Sequence, residues 1–138
     1  MSKNPSAEAL AGLAAFRKAE NECYRNADPA MAELFAEDII LTANGADNLI
    51  GRAAMLSFLT GIWTVYRGNF IEIHDDVVVE AGNYLFVTGR FTDELTPLAG
   101  GDVLTVKGRY QIVLVKADHG RYLLWREAVT DTGAVINK

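Results

Sequence analysis

Between Leu34 and Trp63 the alternation of apolar and polar positions changes rhythm twice. Leu34-Phe35 end a short segment of helical spacing, the acidic pair Glu37-Asp38 comes next, and Ile39 to Ala43 then read as a strand. Asn44-Gly45 tolerates positive φ and marks a tight turn into a second short strand at residues 48–50. Gly51-Arg52 opens a helix over about 52–66, with Met55, Phe58, Leu59, Ile62, Trp63 and Tyr66 as its apolar stripe. Upstream, Ser6 is positioned to cap a helix over about 7–26, whose inner side carries Leu13, Phe16, Cys23, Tyr24 and Ala27 with Glu20 in their midst. Asp28-Pro29 restarts the chain as a short helix over 29–35, Asp as cap and Pro in the first helical position. Gly68 stops the third helix, and beyond it the period falls to two. Strands are expected over 69–80, 84–95, 102–116 and 121–131, separated by turns at Gly82-Asn83, Pro97 to Gly101 and Asp118 to Gly120.

Strands that succeed one another through short turns pair antiparallel, because a parallel pair needs a long crossover. Strands this long must twist and curl. The pattern therefore predicts one α+β domain over residues 1–138: a cone-shaped, curved, mostly antiparallel sheet packed against three N-terminal helices, with loose tails at 1–5 and 133–138. A curled sheet closed by helices encloses a cavity, the default place for a ligand.

Composition narrows the partners. With 138 residues the chain suffices for one core and not two. A net charge of −5 argues against a nucleic-acid surface, no apolar run is long enough for a membrane helix, and the start lacks the apolar stretch of a secretory signal. A single cysteine, Cys23, fits a reducing cytoplasm, where the protein is expected. No metal-ligand spacing, phosphate-binding glycine loop or nucleophile elbow is present, so neither metal nor cofactor is expected.

Some polar residues fall on apolar faces. Glu20 has two readings: an ion pair with Arg126 or Arg90, or a cavity carboxylate that binds or deprotonates a ligand. Asp38 opens the first strand and either bonds backbone there or serves catalysis. His74 shares a strand face with Asp76 while Asp75 faces the other way; solvent exposure is the plainer reading, acid–base action the other. Alternation with Tyr122 and Leu124 places Arg126, not Glu127, on the inner face. Tyr110 continues Leu104, Val106 and Ile112 and offers a hydroxyl to the cavity, and Phe16, Tyr24 and Trp63 complete the candidate ligand-binding set, with core packing as the alternative for the aromatics. Arg52, at a helix start where its charge is disfavoured, is expected to bond Asp38 or Asp47.

The order Ala27-Asp28, Leu34-Phe35-Ala36-Glu37-Asp38, Gly51-Arg52, Gly108-Arg109-Tyr110 and Gly120-Arg121-Tyr122 resembles the nuclear transport factor 2-like superfamily in its SnoaL-like branch, over residues 7–131. The resemblance implies the cone and its pocket, with the first helix over the open side. It does not imply one activity, since the fold hosts isomerases, dehydratases, cyclases and non-catalytic domains. The base of the ketosteroid isomerases falls at Ala43 here, their tyrosine near Glu20 and their protonated aspartate near Gly108 or Arg109, so that catalytic set is missing. The paired histidines of scytalone dehydratase-like relatives are not evident either, with only His74 and His119 in the chain.

The expected function is that of a pocket domain for a small apolar molecule, with cofactor-independent lyase, isomerase or cyclase chemistry on a carbonyl-bearing compound as one reading. A non-enzymatic ligand-binding or protein-association domain is the other. Glu20, His74 and Asp38 are the catalytic candidates. A homodimer through the outer sheet face is expected, because Phe70 and Val78 oppose Ile71, Ile73, Val77 and Val79 along one strand, and helices can cover only one side.

Overall fold

The computed structural model describes residues 5–136. The first helix, α1 (Ala7–Asn26), begins where Ser6 accepts the Ala9 N–H at 3.1 Å and ends through Ala27, in the left-handed region at φ 51°. The expected short helix is a 3-10 turn, Pro29–Leu34, capped by Asp28. Phe35 is already extended, so β1 (Phe35–Ala43) starts earlier than its apolar run suggests. β2 (Leu49–Ile50) closes the hairpin and leads into α2 (Arg52–Trp63). Then come β3 (Tyr66–Ala81), β4 (Tyr84–Pro97), β5 (Leu104–Lys116) and β6 (Tyr122–Ile136).

The six strands form one sheet in the order β2-β1-β6-β5-β4-β3, antiparallel at every junction except β1 with β6. This is the expected α+β cone, with a curved sheet that does not close. The helices lie on its concave side, and Phe35, Ile39, Leu85, Val87, Leu114 and Leu124 are fully buried at the junction. Residues 133–136, expected as tail, extend β6 and pair with β5 as far as Leu104 opposite Ile136. The remaining tail residues, 1–4 and 137–138, lie outside the described residues.

Bulges make the strands depart from simple alternation. Along β3 the register moves between Phe70 and Glu72 and again between Asp75 and Val77, leaving Ile71 and Asp76 as extra residues. Along β6, Leu124 faces Leu114 while Arg126 faces Val113, which leaves Trp125 extra. Each bulge bends its strand and reverses the parity of every residue beyond it. Ile73, expected beside Ile71, packs instead against the core with Phe70 and Val78, while Ile71 and Val77 are exposed.

The link from β1 to α2 also differs from expectation. Arg52 bonds neither Asp38 nor Asp47. Its Nε and Nη2 donate to the Phe35 carbonyl at 3.0 and 2.8 Å, and the Gly51 N–H donates to the Ile39 carbonyl at 2.7 Å. A backbone carbonyl at the strand start takes the place of a carboxylate.

Candidate active site

The concave side of the sheet encloses a cavity of about 360 Å³ beneath α1 and α2. Its walls are mainly aromatic and aliphatic. Tyr24 stacks on Phe70 with centroids 4.5 Å apart, and Phe70 meets Phe91 edge to face at 6.1 Å. Gly68 lies under the Tyr24 ring, where any Cβ would collide with it.

Helical spacing brings the polar groups of α1 together. Leu13, Phe16, Arg17, Glu20 and Tyr24 recur three or four residues apart and share the inner side. Glu20 is 7% exposed and lines the cavity. Its ionic partner is not Arg126 or Arg90 but Arg17, at 2.8 Å one turn before it. The same guanidinium reaches Asp75 at 2.9 Å and lies over the Tyr110 ring at 5.0 Å. Burial would push the Arg17 guanidinium down, but Glu20 and then Asp75 raise it above its ordinary value, so it stays charged. The Tyr110 hydroxyl sits 2.5 Å from Asp75 Oδ1 and 2.9 Å from the His74 carbonyl, and burial together with the Asp75 hydrogen bond raises it. Gly89 permits this approach, because a Cβ there would strike both the His74 carbonyl and the Tyr110 hydroxyl.

A second polar node joins α1 to β4. Tyr24 donates to Asp93 Oδ2 at 2.7 Å, and the Asn69 N–H donates to Oδ1 at 3.1 Å. Burial nevertheless outweighs these two hydrogen bonds and holds the Asp93 carboxyl above its usual range.

The bulge at Trp125 settles the orientation at β6. Arg126 turns to the outer face, donates to the Asp38 carbonyl at 2.9 Å and lies 4.1 Å over the Trp125 ring. Glu127 takes the inner place and lines the cavity. Part of its surface is accessible, although protein surrounds its carboxyl closely. Burial, then the neighbouring Glu20 charge, pushes its carboxyl up to about 7 against the opposing pull of Arg17. Among the described residues no hydrogen-bond donor reaches it. Alternation alone points to the wrong neighbour, since nothing in Leu-Leu-Trp-Arg-Glu announces a bulge.

Of the expected site residues, Glu20, Tyr24 and Tyr110 converge on the cavity. Phe16 and Trp63 are buried in the core and do not line it. His74 faces outward with Glu72 at 3.5 Å, and only its carbonyl takes part, through Tyr110. Asp38 is exposed and accepts the Trp125 indole N–H at 3.3 Å. Sequence reasoning missed Arg17, Asp75, Asp93 and Glu127. Arg17 carried a legible signal, its three-residue spacing from Glu20, and simple alternation already turns Asp75 away from His74. Among the described residues no group of His, Cys, Asp and Glu could hold a metal ion, and no helix is long and apolar enough to cross a membrane.

The fold and the cavity define a pocket-bearing α+β cone. The SnoaL-like domain profile matches residues 13–122, and the chain belongs to the SnoaL-like family. The fold is shared with a conserved protein from Planctomyces limnophilus at a TM-score of 0.81, 16% identity, and 93% and 97% coverage of this chain and that one. A scytalone dehydratase candidate from Novosphingobium aromaticivorans gives 0.79, 18%, 94% and 87%. A ketosteroid isomerase-like protein from Erwinia carotovora atroseptica gives 0.74, 20%, 93% and 99%. At these identities the likeness is one of fold alone. No curated protein sequence matches the chain.

Proposed function

We propose that the protein binds a small apolar, carbonyl-bearing molecule in this cavity and moves a proton on it without a cofactor, as a lyase, isomerase or cyclase of the cytoplasm. One observation carries the reading: Glu127 presents a carboxyl with a pKa of about 7, lacking a donor, to an apolar cavity. Such a group exchanges protons readily near neutral pH. As carboxylate it takes a proton from the carbon beside the carbonyl. As carboxylic acid it returns that proton at another carbon, or the enolate expels a leaving group. Arg17 lines the cavity with its charge held between Glu20 and Asp75, which supports a role in stabilising negative charge that develops on the carbonyl oxygen. Glu20 serves by holding Arg17 in place and by raising Glu127. Scytalone dehydratase-like and ketosteroid isomerase-like structures of the same fold are consistent with this kind of chemistry but assign no substrate here.

The test is deuterium exchange at carbons beside the carbonyl in a panel of apolar ketones, monitored by NMR. Exchange by the wild type that rises through pH 7 and is lost in Glu127→Gln supports the reading. Ligands that bind and raise the melting temperature without any Glu127-dependent exchange leave a binding domain instead. The alternative of an association domain draws on the outer face, where Ile71, Val77, Tyr84 and Phe86 are exposed. We propose that this face forms a homodimer whether or not the cavity is catalytic.

A further inference from the structure

The cavity is electrically lopsided. Glu20, Asp93, Glu127 and Asp131 line it, against the single guanidinium of Arg17. That guanidinium is already shared between Glu20 and Asp75. Asp93 is held by Tyr24 and Asn69, and Asp131, at the exposed end, accepts the Gly133 N–H at 2.8 Å. Glu127 is the carboxylate left over. It has walls of low polarity around it, a like charge on α1 beside it, and among the described residues no donor. A carboxylate largely removed from water in that state is costly, and the one cation lining the cavity is committed to Glu20 and Asp75. The missing partner is thus a cation that arrives from outside, on a molecule whose remainder suits an aromatic cavity.

We propose that the molecule held in this cavity carries a basic nitrogen, and that its ammonium group takes the place opposite the unpartnered Glu127 carboxylate. This rests on the cavity being a small-molecule site and adds a second group to the carbonyl-bearing ligand. The two roles of Glu127 are compatible. One of its oxygens accepts from the ammonium, and the other remains free to take a proton from carbon. Binding of the cation converts Glu127 from a partly protonated group into the ionised base, releasing its proton to solvent. An acid of the same skeleton meets the reverse situation and must take up a proton or face four carboxylates. The groups that bear on Glu127 are Glu20 and Arg17 on α1, with Asp75 acting on it through Arg17.

The experiment is titration calorimetry with a matched trio of probes: 4-phenylbutylamine, 4-phenylbutan-1-ol and 4-phenylbutanoate. Each is measured in two buffers of different ionisation heat, with wild type and Glu127→Gln. The wild type is expected to bind the amine most tightly and the acid at least about tenfold more weakly, a gap typical of one partly buried charge contact. Amine binding near pH 7 should release about half a proton, and its affinity should rise about tenfold from pH 6 to pH 8 and level off above that. Glu127→Gln should lose the proton release and the pH dependence and narrow the gap between amine and acid. Equal binding of the three probes, or an amine preference with no proton release, overturns the proposal and leaves a neutral-ligand pocket standing. Failure of all three to bind removes the pocket reading as well. Proton release by the wild type decides the matter even where the variant does not fold.

Discussion

At Glu127 the surroundings favour the protonated carboxyl over the charged one. An unfolded glutamate ionises near 4.5 and the folded one near 7, so between those values the folded state holds more protons. Folding stability from this group therefore falls as pH rises through that window, and the penalty is complete above about 7. The displacement corresponds to roughly 3 kcal/mol at most. Glu127→Gln is expected to stabilise the protein at pH 8 and to change little at pH 4, as urea melts at the two pH values will show. Tyr24 gives the opposite case. Tyr24→Phe removes the hydroxyl that donates to buried Asp93. A loss of about 1–3 kcal/mol is expected, because the carboxyl keeps its desolvation cost with one donor fewer. That loss should shrink in acid, where Asp93 is protonated, and a melt series from neutral to acid pH would expose a pH-independent loss as contrary evidence.

The junction between β1 and α2 depends on a pair of hydrogen bonds from one side chain. Arg52 holds the Phe35 carbonyl with two donors, while the backbone of Gly51 holds Ile39. Arg52→Ala is expected to cost about 1.5–3 kcal/mol, the range for a charge-assisted hydrogen bond. Arg52→Lys should recover only part of it, since an ammonium cannot present the two-pronged fork. Chemical denaturation of the three proteins measures both steps. The start of α1 obeys the same logic at smaller scale: Ser6→Ala should cost about 1 kcal/mol through the lost Ala9 cap.

The proposed homodimer uses the convex side of the sheet. Phe86 is 44% exposed and Val77 53%, with Tyr84 and Ile71 also open on that face. Sedimentation equilibrium at micromolar concentration should show a species of twice the 15.1 kDa chain mass. Phe86→Glu should return it to the monomer while leaving the circular dichroism spectrum intact. A wild-type monomer at that concentration would rule out the proposed dimer.

The local signals were strong wherever a residue acts on its own neighbours. Ser6 caps the first helix at its expected start, Asp28-Pro29 opens the next turn, and Asn44-Gly45 places the hairpin. The long strands and their antiparallel order are dictated by period two and short turns. Glu20 was legible as a cavity residue because an apolar helix face cannot present it to water. What the sequence could not contain was the parity of the strands beyond their bulges. A bulge arises from the curl that the whole sheet needs to wrap its core, and one extra residue reverses every side chain after it. That reversal turned Arg126 out and Glu127 in, and brought Ile73 to the core. Likewise, the partners of Arg17, Asp75 and Tyr110 are far apart in the chain, and only the packing of α1 across β3 set them within hydrogen-bond reach. Local chemistry chose the elements, whereas the curvature imposed by a shared core chose which carboxylates face the cavity.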